Sequence, residues 1–98
     1  MRITQSHIEN LVEWINHEKG YQLTSYEMED GRWTAQVANI HAYRSSGYWN
    51  VVQIVNTGGG ERTLTRGTAR EVYEFLHGMQ VAIRLDSMVG RYTQEVAA

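Results

Sequence analysis

Cysteine and proline are both missing from this chain of 98 residues, and phenylalanine occurs once. Without cysteine there is no disulfide framework, no thiolate metal site and no thiol nucleophile, and a reducing compartment is the natural setting. Without proline no helix or strand is interrupted by a missing backbone donor, so glycine and short polar residues must supply the breaks. No apolar run is long enough to span a bilayer, and the opening MRITQSHIEN lacks the apolar core and cleavage pattern of a secretion signal. A soluble, cytoplasmic protein with no membrane partner is expected.

The composition is that of an ordinary globular domain, with 42% apolar and 20% charged residues. A chain of this size folds as one domain and buries roughly two-thirds of its unfolded surface without staples. The reading is a single α+β domain over residues 1–88 and a flexible C-terminal tail over residues 89–98. Net charge is −2, but the charges are segregated. Residues 1–31 set Arg2 and Lys19 against six acids, whereas residues 32–70 set Arg32, Arg44, Arg62, Arg66 and Arg70 against Glu61 alone. A polarised surface follows.

Ser6 with Glu9 forms a capping-box pattern, with Thr4 as a competing cap, and Ile8, Leu11, Val12 and Ile15 then recur on one helical face. Trp14 flanks that face, Glu9, Glu13, Asn16 and His17 take the other side, and Gly20 supplies a left-handed stop. Asp30-Gly31 suits a two-residue hairpin turn between the strand in YQLTSYEM and the strand WTAQVANIHAY, which bends near Ala38 or Asn39. After a second turn at Arg44–Gly47, YWNVVQIVN is apolar on both faces, so something should cover each side, and a partner could be the second layer. Thr68 and Glu71 repeat the capping logic before a second stripe of Val72, Phe75, Leu76, Met79 and Ile83. Gly78 interrupts that stripe, and the pattern fades after Leu85. The expected architecture is an α+β two-layer sandwich, a three-stranded antiparallel sheet with two helices on one face, in the order α-β-β-β-α. The second sheet face stays open, with Tyr21, Tyr26, Trp33, Tyr43, Tyr48 and Trp49 as contact candidates.

Catalytic and metal chemistry find little support. His7, His17, His41 and His77 make no His-x-x-x-His pair, so no two histidines are spaced to hold a metal from one helix face. Glu27, Glu29 and Asp30 crowd a hairpin tip, which holds no cleft for paired-acid chemistry. Ser45 and Ser46 lack the strand-to-helix setting of a nucleophile. Gly58-Gly59-Gly60 leads to Arg66-Gly67-Thr68 rather than to the lysine of a phosphate loop, so a loop turn is the simpler account. No catalytic residue, metal or cofactor is predicted. Arg62, Arg66 and Arg70 stand out, because cations before a helix N-terminus oppose its dipole. Pairing with Glu61, Glu71 or Glu74 is one explanation and binding to phosphates or to an acidic protein surface is the other.

Two resemblances bear on function. The element order, with Arg66 and Arg70 before the second helix, resembles that of double-stranded-RNA-binding domains, which implies a nucleic-acid partner as one reading. Gly47-Tyr48-Trp49, Asn56 with Gly58-Gly59, Thr68-Ala69-Arg70-Glu71-Val72-Tyr73 and Gly78 together resemble short proteins of tailed phages and prophages. That likeness implies a phage accessory protein acting in the host cytoplasm, without enzymatic activity, by binding and disabling a host protein or defence complex in the manner of anti-CRISPR proteins. The expected partner-binding residues are Tyr48, Trp49, Arg62, Arg66 and Arg70. A homodimer through strand edges or the open sheet face is compatible with either reading.

Overall fold

A computed structural model describes the backbone of residues 2–97 and the side chains of residues 2–89. The chain runs α1 (Gln5–Lys19), β1 (Tyr26–Glu29), β2 (Arg32–Ala35), β3 (Ile40–Ser45), β4 (Tyr48–Ile54), β5 (Glu61–Gly67) and α2 (Ala69–Ala97). It is an α+β fold, with a three-stranded antiparallel sheet in the order β3-β4-β5, a separate β1-β2 hairpin and two helices. Most of the tail expected over residues 89–98 has side chains outside the described residues, and the α2 backbone continues to Ala97.

Local chemistry explains the element ends. Thr4 caps α1, and its partner is His7, whose Nδ1 accepts from the Thr4 N–H at 3.0 Å. The Ser6–Glu9 box does not form, because Ser6 already lies inside the helix that Thr4 caps, and the Glu9 carboxylate accepts from Gln5 Nε2 at 2.7 Å. Gly20 closes the helix at φ 73°. Asp30 and Gly31, at φ 49° and 78°, make the β1-β2 turn, and Ser46 and Gly47, at 54° and 80°, make the β3-β4 turn. Both central residues of each turn thus take the positive φ that a twisted hairpin requires.

The long strand read as WTAQVANIHAY divides in two. Ala38 takes φ 78°, its N–H donates to the Ile54 carbonyl, and Ile54 N–H donates to the Asn39 carbonyl. The strand therefore leaves β1 and restarts against β4. Asn39 is buried and ties the parts together, its amide donating to Gln22 O at 2.7 Å and its Oδ1 accepting from Ser25 Oγ at 3.2 Å.

The third strand of the main sheet is β5, in a run that reads as a polar lead into the second helix. Its β-branched Thr63 and Thr65 suit a pleated surface, and a bulge between Val51 and Val52 of β4 sets Val51 opposite Thr65 and Val52 opposite Thr63. β4 is the central strand, and apolar residues on both of its faces are buried. Trp49 and Val51 pack under the helices with Ile8, Leu11, Ile15, Val72 and Leu76. Val52 and Ile54 are also buried, within the chain itself and outside that cluster. On that second side His41 Nε2 meets Glu61 Oε2 at 2.9 Å, and since His41 pairs with Val52 and Glu61 with Ile54, the contact spans the central strand. Each fully buried aliphatic side chain contributes about 1.5–3 kcal/mol.

Asn16 departs from the expected polar side of α1. It is buried, its amide donates to Ile40 O at 2.8 Å and its Oδ1 accepts from Ile40 N–H at 2.9 Å. It thus satisfies both backbone groups that begin β3, docking helix to sheet. Gly78 lies in open space, with nothing within 4 Å of a Cβ placed there, so no close approach to the sheet accounts for it.

Candidate functional site

The Thr68–Glu71 box sets the entrance of α2. Thr68 N–H donates to Glu71 Oε1 at 3.0 Å, and Glu71 N–H donates to Thr68 Oγ1 at 3.2 Å. The Thr68 backbone N–H, and after it the Thr68 hydroxyl, hold the Glu71 carboxyl below the usual glutamate range. Gly67 makes room for this, since a Cβ there would lie 3.1 Å from Glu71 Cβ and Oε1. The Gly58–Gly60 run is the β4-β5 loop, in which Asn56 Oδ1 accepts from Gly60 N–H at 2.9 Å. Those loop glycines are structural, since side chains of Asn56 and Tyr26 occupy the space a Cβ would need at Gly60 and Gly59.

The five residues singled out from sequence go to different places. Tyr48 is exposed on the sheet face away from the helices, and the Arg66 guanidinium stacks over its ring at 5.1 Å. Those two meet because Tyr48 opens β4 and Arg66 lies near the end of β5. Trp49, one residue on, faces the helices and is buried, with Arg44 5.9 Å from its ring. Arg62 lies on β5, not at the helix start, and donates to Gln53 Oε1 at 2.7 Å. Arg70 is on α2 with Glu74 3.9 Å away. Arg62 stands opposite Gln53 and Arg66 opposite Asn50, three residues apart on β4, so these two arginines lie on opposite sides of the sheet.

Two exposed surfaces among the described residues carry the aromatic candidates. The first is the end of the second sheet face next to the β3-β4 turn, where exposed Tyr43 and Arg66 flank the buried Asn50 in one row across the three strands and Tyr48 lies beside them. A shallow cleft of about 390 Å³ is lined by Tyr48, Arg66, Gly67 and Glu71. The second is the β1-β2 hairpin. Met28 pairs with Trp33 and Tyr26 with Ala35 on one face, and Glu27 pairs with Thr34 and Glu29 with Arg32 on the other. At the base of the apolar face Ala35 is buried; at its tip Met28 is 55% and Trp33 is 70% exposed. Trp33 was legible as one of several aromatics, but nothing in its alternation with Ala35 marks it as uncovered.

No family model, curated protein or solved structure matches the chain. The site is therefore read from its own chemistry. Among the described residues no group of three or more His, Cys, Asp or Glu side chains could hold a metal ion. His7, Tyr73 and His77 come together, with Tyr73 and His77 stacked at 6.0 Å and His7 edge-on to Tyr73 at 6.2 Å. These rings pack the start of α2 against α1. Among the described residues no helix is long and apolar enough to cross a membrane.

Proposed function

We propose that the protein is a non-catalytic binding domain that engages a host protein through the tip of its β1-β2 hairpin. The observation that carries this is the Met28–Trp33 pair, apolar, directly opposed and more than half exposed. Tryptophan is among the strongest interface anchors, and two large apolar side chains left in water on a short hairpin lack a fold-internal use. Glu27, Glu29 and Asp30 against Arg32 give the hairpin net negative charge, so the fitting partner offers an apolar recess edged by basic groups. The phage-protein likeness extends this reading to a phage accessory protein that blocks a host defence effector in the cytoplasm.

Affinity capture from lysate of a bacterium with active immunity, read together with phage plating on cells expressing the protein, tests it. Wild type is expected to retain a stoichiometric protein and to relieve immunity, and Trp33→Ala to lose both by tenfold or more. Capture unaffected by Trp33→Ala, or unchanged immunity, contradicts the proposal.

A second reading rests on Tyr43, Tyr48 and Arg66, since aromatics on adjacent strands beside an arginine form a stacking platform for single-stranded nucleic acid. A pI near 6.0 and the spread of the arginines weigh against it. It predicts oligonucleotide affinity that falls steeply with salt and is lost in Arg66→Glu. Salt-independent or absent binding removes it.

A further inference from the structure

The two helices and the sheet leave a gap where α1 ends. Between Lys19 of α1, Met79 and Ile83 of α2 and the helix side of β4 and β5 lies a cleft of about 350 Å³, at the small end of the roughly 300–1,000 Å³ of small-molecule sites. The buried Ile15 and Ile40 form its floor, and Leu64, Met79 and Ile83 continue the apolar lining. Two exposed cations, Lys19 and Arg62, border it, and no carboxylate does. Met28 and Trp33 of the hairpin tip take no part in it.

We infer that this cleft binds a small amphiphilic carboxylate, a medium-chain fatty acid, whose chain lies on the apolar floor and whose headgroup meets Lys19 and Arg62. The position of Arg62 is the first argument. Gln53 Nε2 donates to Ala38 O at 3.0 Å, and Gln53 Oε1 accepts from Arg62 Nη2 at 2.7 Å. The guanidinium is thus held beside the cleft by a neutral amide, which consumes little of its donor capacity and none of its charge. Charge is the second. Among the described residues neither Lys19 nor Arg62 forms an ion pair with a carboxylate, so an anion at the mouth gains charge-assisted hydrogen bonds without displacing a protein partner. An ammonium headgroup would be repelled there. The lining is the third. Apart from Gln53 and Tyr21 the cleft wall beneath the two cations is hydrocarbon, which suits an alkyl chain and would leave the hydroxyls of a sugar or nucleoside unpaired. The site is independent of the hairpin reading, and its test uses no host protein.

An amide-resolved NMR titration of the full chain tests this, with octanoate as the probe and octanol and octylamine as its neutral and cationic counterparts. Octanoate is expected to saturate one site and to shift the amides of Lys19, Arg62 and Ala82. It is expected to bind at least about tenfold more tightly than either counterpart, because hydrogen bonds to charged groups are the stronger class. Arg62→Gln and Lys19→Gln, both at exposed positions, are each expected to weaken octanoate about tenfold with an unchanged circular-dichroism spectrum. Ala82→Trp, which fills the cleft from an exposed helix position and keeps both charges, is expected to abolish binding. No saturable shift with octanoate, or octylamine binding as tightly as octanoate, overturns the inference. Octanoate binding that survives both Arg62→Gln and Ala82→Trp overturns it too.

Discussion

Met28 and Trp33 stand directly opposite each other across the β1-β2 ladder, and both project more than half of their surface into water. At the base of the same face Ala35 is buried, with its partner Tyr26 about half exposed. The hairpin is anchored at one end and unsatisfied at the other, the form of a recognition element rather than a layer of the core.

The two tryptophans should therefore separate in their effect on stability. Trp33→Ala removes an exposed cross-strand pair and is expected to cost less than about 1 kcal/mol. Trp49→Ala empties a buried site beside Val51 and is expected to cost about 3–5 kcal/mol. Urea unfolding followed by circular dichroism distinguishes them, and equal losses would mean that Trp33 is a core residue.

Asn16 provides the second prediction. Its side chain makes both hydrogen bonds to Ile40 in a buried setting, so Asn16→Ala leaves a backbone donor and acceptor unpaired. A loss of about 1–3 kcal/mol is expected, with faster amide exchange at Ile40. A loss no larger than that of an exposed α1 substitution such as Glu13→Ala would contradict the docking role.

The α2 cap gives a pH dependence. Because hydrogen bonds from Thr68 lower the folded Glu71 pKa, the carboxylate adds stability that is complete above its unfolded pKa and fades as pH falls through the folded value. Glu71→Gln should lower Tm at neutral pH and shrink the wild-type advantage in acid. Parallel Tm curves for the two proteins from neutral to acid pH would rule that out.

Much of this fold was legible where the determinants are local. The helical spacing of Ile8, Leu11, Val12 and Ile15, the Asp30-Gly31 turn and the Thr68–Glu71 box all depend on neighbours within a few residues. The misses depend on distant partners. β5 carries Leu64 as its lone large apolar residue, so its threonines read as loop until β4 is beside them. Asn16 looks solvent-facing until Ile40 is under it. Ser6–Glu9 and Thr4–His7 have the same spacing, and the helix starts from Thr4. Tyr48 and Arg66 were identified from sequence and do meet, whereas Trp49 went inward and the uncovered Trp33 was one aromatic among several. Strand parity tells which residues share a face but not which face the rest of the chain covers.

The central claim is that the hairpin tip, not the arginine-bearing sheet face, is the recognition surface. Parallel capture from host lysate with wild type, Trp33→Ala and Arg66→Ala, each verified as folded, tests it most directly. The account predicts that Trp33→Ala loses the captured protein by tenfold or more while Arg66→Ala retains it. Loss on Arg66→Ala with retention on Trp33→Ala would contradict it and move the recognition surface to Tyr48 and Arg66.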